Sequence, residues 1–198
     1  EKKKEKYLER SELKQVIKDM AVIDKSTSLL IEFMSLTGLR FGECVAIQSK
    51  NIENNVLHIN GTWDSVSNSK TTTKNIYSDR KITLPKRCLQ IIEEYPLKYP
   101  KDKISNDNYI FIYKNNKPYN ISVVNSRLKK INSSKNLSTH IFRHTHIALL
   151  TELGIPLKSI MERVSHNNHQ TTLSIYSHVT EEMSKNIIEK LNEIDLLN

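Results

Sequence analysis

The sequence predicts an α+β fold, mainly α-helical, with one small three-stranded antiparallel sheet. Three observations carry this. Only 4 glycines and 5 prolines punctuate the 198 residues, too few for the many tight turns of an all-β chain. Apolar residues recur at helical spacing over most of the length. One stretch between residues 51 and 84 switches to short β-type runs bounded by turn residues. The length suits one sizeable domain or at most two small ones, and no solenoid-type repeat is present.

The elements follow in order. Ser11 can cap a helix through about Asp19, with Leu13, Val16, Ile17 and Met20 on one face. Ser26 or Thr27 can start a second, apolar at Leu29, Leu30, Phe33, Met34 and Leu36. Gly38 ends it, because glycine takes the left-handed position at low cost. A short helix follows Arg40, through Ala46. Asn54-Asn55 turns the chain into a strand at Val56–Ile59; Gly61–Val66 and Lys81–Leu84 read as two more. Ser65–Thr73, rich in Ser and Thr, reads as a flexible loop, with the Lys70–Lys74 stretch near the tip of the last hairpin. Helical spacing returns at Cys88–Glu94, and Tyr109–Tyr113 is a short extended piece. Ser122–Ile131 is a basic helix. Thr139 caps a helix from His140 to Leu153, stopped by Gly154 and Pro156; Leu157–Val164 is another. Thr171–His178 is a short helix carrying Tyr176, and Thr180 caps a last one, with Glu181 and Glu182 well placed against its N-terminal dipole.

Lys and Arg number 30 against 22 Asp and Glu, a formal net charge of +8, which suggests a polyanionic partner such as nucleic acid or an anionic membrane. No apolar run approaches the roughly 20 residues of a membrane helix, and no signal peptide is visible. The chain opens Glu-Lys-Lys-Lys without an initiator Met and reads as a fragment or processed piece. Cys44 and Cys88 form neither a disulfide framework nor a zinc site and fit a reducing cytoplasm. From Glu181 onward the chain carries five acids and two lysines. An acidic tail suits packing on protein rather than DNA, and argues against a membrane-surface helix.

Certain residues suit phosphodiester chemistry. A nucleophile attacking phosphorus puts extra charge on the non-bridging oxygens, and the planar, permanently charged guanidinium answers it best. Arg40, in Thr37-Gly38-Leu39-Arg40-Phe41-Gly42-Glu43, and Arg143 can grip those oxygens from separate segments. Glu43 can fix a guanidinium or imidazole by a charge-assisted bond. His140 and Arg143 share a face near a helix N-terminus, an end that attracts phosphate. His140 and His144 have a zinc-compatible spacing, but no acid accompanies them and Arg143 would sit beside the metal, so none is expected. His166 follows an apolar turn and precedes a polar loop, which favours exposure in a site. A phenol with a pKa of about 10 needs nearby arginines and a proton acceptor. Tyr176 is one of 8 tyrosines and is singled out only by its helical setting. A lone arginine in a basic chain is more often a solvated charge, and a lone histidine more often structural.

The order Arg, Lys, His-x-x-Arg, His, Tyr resembles the catalytic domain of the tyrosine recombinase (phage integrase) family. Thr37–Glu43 looks like its first box, His140-Ile141-Phe142-Arg143-His144-Thr145 its second, and Ser165 to Val179 its third, as found in integrases of phages and conjugative transposons. The resemblance runs from Tyr7-Leu8 onward, and the third box is the most specific. It implies a DNA breaking-rejoining core in which Tyr176 attacks the scissile phosphate and forms a 3′-phosphotyrosine, leaving a 5′-hydroxyl. Arg40 and Arg143 would hold the phosphate, His140 would help manage the tyrosine proton, His166 would hydrogen-bond the phosphate and Glu43 would support the site. A hairpin lysine would protonate the leaving 5′-oxygen. Lys74 fits the family's spacing to Ser78-Asp79-Arg80 and Ile82-Thr83-Leu84, while Lys70-Thr71 mimics its usual Lys-Thr pair; Lys74 is favoured. Ser165 stands where the family usually has glycine, with little harm expected unless the turn there is left-handed.

The resemblance further implies no cofactor, metal or ATP, double-stranded DNA as partner, a tetramer on two duplexes, an accessory excision or DNA-bending protein, and a bacterial, cytoplasmic setting. Residues 1–6 are expected to end an interdomain linker, 7–179 to be the catalytic domain, and 180–198 to be a tail helix docking on a neighbour. The family's other, N-terminal domains are not in this sequence, so weak, salt-sensitive DNA binding is expected. Arg80, Arg127, Lys129 and Lys130 are the candidate DNA contacts. Two other readings share the scaffold or the chemistry: a non-catalytic DNA-binding regulator and a type IB topoisomerase.

Overall fold

The computed structural model describes residues 6–72, 79–95, 109–113, 117–165, 169–185 and 187–192. Lys74 and His166 lie outside them. Helix α1 spans Arg10–Ile23 and α2 Lys25–Thr37. The first begins two residues earlier than a Ser11 cap allows, because Glu12 reaches back to accept from the Glu9 amide at 2.7 Å, closing the end as a capping carboxylate does. Asp24 then separates the helices and caps α2, its carboxylate accepting from the Thr27 amide at 2.7 Å.

Helix α2 is the central element, buried along most of its length. Its buried hydroxyls find acceptors: Thr27 donates to the Asp24 carboxylate and Ser28 to the Ile17 carbonyl of α1, while two others turn back on the helix. Ser35 donates to the Ile31 carbonyl at 2.8 Å and Thr37 to that of Phe33 at 2.7 Å, so these two buried donors are satisfied. Around it pack α1, α4 (Lys86–Glu94) and α6 (Thr139–Glu152). Phe33, Met34, Leu39, Phe111, Tyr119, Phe142 and their neighbours form the larger core. A second cluster, with Ile147, Ile160, Val164, Ile175 and Val179, lies between α6, α7 (Leu157–Val164) and α8 (His169–Ser184).

The β region is larger than the sequence predicts. Short α3 (Phe41–Val45) leads to β1 (Ile52–Glu53) and β2 (Val56–Ile59), joined by Asn54 and Asn55 at φ 49 and 63. Two consecutive positive φ values make the tight hairpin turn whose twist suits antiparallel strands. Strand β5 (Arg80–Thr83) adds to β2, giving a three-stranded antiparallel sheet in the order β1-β2-β5. The predicted strand at Gly61–Val66 does not join it. It is β3 (Gly61–Asp64), paired instead with β4 (Ser69–Thr72) in a separate two-stranded ribbon. The loop expected over Ser65–Thr73 is therefore, in its described residues 65–72, a turn followed by a strand: threonines suit a pleated ladder, and composition alone hides that.

Two further caps differ from expectation. Thr139 does not cap the helix that carries His140; it is the first helical residue, and its amide is satisfied by Asn125 of α5 (Ile121–Leu128) at 3.1 Å. Thr180 starts no new helix. Its hydroxyl donates back to the Tyr176 and Ser177 carbonyls at 2.9 and 3.0 Å, and α8 runs on past it to Ser184 before α9 (Ile187–Asn192). The expected 179/180 boundary thus falls inside one helix. No helix among the described residues is long and apolar enough to cross a membrane.

Candidate active site

Gly38 ends α2 at φ +70, and a Cβ there would lie 2.4 Å from the His146 ring, so both the turn and the packing require glycine. Two residues later Arg40 opens α3. Its amide donates to Glu43 Oε2 at 3.0 Å and its Nη1 to Oε1 at 2.9 Å. Glu43 is buried, yet its carboxyl is held below the usual carboxylate range. Burial alone would raise it; Arg80 first, then Arg40, outweigh that.

Arg80, expected to face DNA, is instead built into the interior. Its side chain is 8% exposed, and its Nη1 and Nη2 donate to the two Glu43 oxygens at 3.2 and 3.0 Å. Its Nε donates to the Arg163 carbonyl at 2.8 Å. One carboxylate with one guanidinium in the fork geometry leaves Arg80 little to offer a phosphate. Arg127 is likewise engaged, paired with Asp24 at 3.1 Å and lying over the Tyr113 ring at 5.2 Å. Lys129 and Lys130 are exposed.

Arg143 enters the same cluster from α6. Its Nη1 donates to the Gly38 carbonyl at 2.8 Å and its Nη2 to that of Val164. Burial pushes its guanidinium down to about 9, and Arg40 and Arg80 push the same way against Glu43. It stays charged at neutral pH. Three guanidinium groups thus act on a single carboxylate, leaving a net positive cluster in which Arg40 stays about one-third exposed. Such a cluster is stabilised by an incoming anion.

Arg163 was not singled out in the sequence, since one more arginine in a basic chain looks like surface charge. It ties α7 to the site, its Nε donating to His146 Nε2 at 3.2 Å and its guanidinium to the Thr83 carbonyl. His146 is therefore neutral, with its Nδ1–H donating to the Ser35 carbonyl at 2.8 Å, and burial pushes its imidazole down to about 3. His144 Nδ1–H donates to the Lys6 carbonyl at 3.1 Å, while His140 is exposed at the first turn of α6. The three imidazoles do not converge, and among the described residues no cluster of three metal-ligating side chains exists.

Tyr176 is half-buried on α8, its ring packed on the cluster between α6, α7 and α8. Helix α8 packs along α6, the helix that carries His140 and Arg143. Lys70 is half-buried on β4, bonded to three amide side chains.

Ser165, just after α7, adopts φ 79 and ψ 133 and is buried. Serine is strained here, so the left-handed turn that glycine would suit is present. Its hydroxyl has no partner among the described residues. Releasing strain of roughly 1–3 kcal/mol, less up to about 1 kcal/mol for added freedom of the unfolded chain, Ser165→Gly should stabilise the fold by about 1 kcal/mol. Its thermal midpoint should rise by about 2–4 °C; an unchanged or lower midpoint would contradict the strain.

The fold and cluster define a mainly helical domain with arginines gathered around one buried carboxylate, and comparison with known proteins gives its family. A family model described as the Phage integrase family matches residues 6–183. The chain therefore belongs to the phage integrase family. It is 38% identical to a probable integrase of prophage ps2 from Lactococcus lactis subsp. lactis, over 98% of this chain and 56% of that protein. It is 30% identical to the ICEBs1 integrase of Bacillus subtilis, over 97% and 55%. The chain thus spans about half the length of these curated relatives. In fold it resembles the Tn1549 transposon integrase solved with transposon right end DNA (TM-score 0.76, 18% identity, 97% of this chain and 68% of that one). It also resembles XerA recombinase (TM-score 0.70, 18% identity, 93% and 64%).

Proposed function

We propose that this chain is the catalytic domain of a site-specific DNA recombinase that integrates or excises a mobile element in a bacterial cytoplasm. The observation that supports it is the cluster in which Arg40 and Arg80 pair with Glu43 while the buried Arg143 lies within their charge field. Glu43 and Arg80 neutralise each other. Arg40 and Arg143 are left to hold the two non-bridging oxygens of a phosphodiester, where charge grows in the transition state.

Tyr176 Oη attacks phosphorus, the bond to the 5′-oxygen breaks, and a 3′-phosphotyrosine remains. The phenol proton passes to a nearby base, with His140 assisting. Lys74 gives the proton that the departing 5′-oxygen takes up, and His166 donates to a phosphate oxygen. A 5′-hydroxyl from another strand reverses the step and exchanges strands. The phosphodiester energy stays in the tyrosyl bond, so neither ATP nor metal is required. Lys129 and Lys130 contact the DNA backbone. Four protomers assemble on two duplexes, with 180–198 docking on a neighbour; Ile187 and Leu191, about half exposed on α9, suit that contact.

The test uses the full-length protein and nicked duplexes tiled across the DNA that flanks its coding sequence, with chelator and without ATP. A covalent adduct should form, and mass spectrometry of the adduct should place the nucleotide on the peptide containing Tyr176. No adduct with any duplex, or an adduct on another residue, would overturn the reading. Relaxation of supercoiled DNA without site preference would favour a topoisomerase instead.

A further inference from the structure

We propose that Lys70 is a positioning residue that pins the β3–β4 ribbon to the domain, and is not the proton donor of strand cleavage. Its kinetic consequence rests on the recombinase reading; its structural consequence does not.

Among the described residues the two sheets share no ladder, and a two-stranded ribbon is marginal by itself. Something must hold it. Lys70 stands on β4 opposite Trp63, and its stem lies across the ribbon over Gly61. A Cβ at that glycine would stand 2.6 Å from Lys70 Cε and 2.9 Å from the Thr71 carbonyl, so residue 61 leaves the passage open. Beyond it the ammonium donates to Asn60 Oδ1 at 2.8 Å, Gln48 Oε1 at 3.3 Å and Asn51 Oδ1 at 3.4 Å.

An ammonium has three N–H donors and no acceptor, and three amide oxygens face it. Those oxygens are themselves held in place. Asn51 Oδ1 also accepts from the Gln48 amide at 3.0 Å, and Asn51 Nδ2 donates to Asn60 Oδ1 at 3.4 Å. Gln48 and Asn51 are buried. The acceptors flank the β1–β2 hairpin on both sides, so one side chain links β4 to the entry and the exit of the other sheet.

A general acid must aim a proton at the leaving oxygen. Lys70 could do so only by giving up part of this socket. Burial, with Lys50 nearby, pushes its ammonium down, which would suit an acid; the same burial is what the socket imposes, so the bonds decide the role.

Two measurements on the full-length protein test this. The first is hydrogen exchange with Lys70→Met, which keeps the stem and removes the donors, and with Asn60→Ala, which removes the nearest acceptor. Both should speed exchange of the β3–β4 amides by about tenfold or more while α6 amides are unchanged. Unchanged ribbon exchange in both would overturn the proposal, and Asn60→Ala gives the answer should Lys70→Met fail to fold.

The second compares DNA carrying a bridging sulfur in place of the scissile 5′-oxygen. When the P–S bond breaks, the thiolate departs without needing a proton. Lys70→Met should slow the oxygen and sulfur substrates by the same factor, whereas Lys74→Ala should recover on sulfur. Recovery of Lys70→Met on sulfur, or wild-type rates on both, would overturn the proposal. Should the unsubstituted protein form no adduct with either substrate, the recombinase reading fails and the exchange measurement alone decides the anchor.

Discussion

Arg143→Ala is expected to slow formation of the covalent adduct by about 10²–10³-fold while the melting temperature of the DNA-free protein stays nearly unchanged. The two halves have one cause. Arg143 is buried beside Arg40 and Arg80, and burial first, then Arg40, pushes its guanidinium down to about 9, so its charge is poorly accommodated in the free protein. At about 1.4 kcal/mol per pKa unit, truncation relieves a few kcal/mol. Against this, the Gly38 and Val164 carbonyls lose their donor, at about 1–3 kcal/mol each. The opposing terms nearly cancel in the free protein. They do not cancel when phosphate is present, because the anion then meets one guanidinium fewer just as charge develops on it. Arg143→Lys should also fail, since an ammonium cannot span both carbonyls and still present a fork. Sulfate should raise the melting temperature of the unsubstituted protein more than that of Arg143→Ala. Wild-type cleavage by Arg143→Ala would remove Arg143 from the phosphate grip.

The features legible in the sequence are those set by neighbours along the chain. Gly38 at a helix end, Asn54-Asn55 at a hairpin and the apolar spacing of α1, α2 and α7 are local signals, and each sits where the residues place it. The illegible features depend on partners far away. Thr180 is a good cap in isolation, yet Val179 packs in the second core and carries the helix through. Arg80 and Arg127 look like surface charge until Glu43, 37 residues away, and Asp24 neutralise them. Lys70 lies in a Ser/Thr stretch whose role as a strand depends on Trp63 and Asn60. The same limit applies to the site. Motif order led to Arg40, Glu43 and Arg143, which the fold does bring together, but nothing in it revealed that Arg163 would orient His146 and receive Arg80.

Glu43→Gln should cost the most stability of any change at the site. The substitution keeps volume and removes the one countercharge that Arg40, Arg80 and Arg143 share. Removing one partner of a buried ion pair costs about 3–5 kcal/mol. At about 2–4 °C per kcal/mol for a chain of this size, the melting midpoint should fall by roughly 10 °C. The pH dependence carries the sign. Because the folded carboxyl lies below its unfolded value of about 4.3, its contribution is present above that pH and is lost as pH falls through the folded value. The two proteins should therefore differ most at neutral pH and converge in acid. Cleavage should fall as well, measured well below the melting midpoint, because Arg40 loses its countercharge and one of the two carboxylate oxygens that fix its position becomes an NH2 that cannot accept. Arg80→Met in the Glu43→Gln background should recover part of the lost stability by removing a cation left unpaired, a coupling that a double-mutant cycle isolates. It should not recover cleavage, since Arg40 would still lack its partner. Additive losses in that cycle would show that Glu43 and Arg80 do not act as a pair.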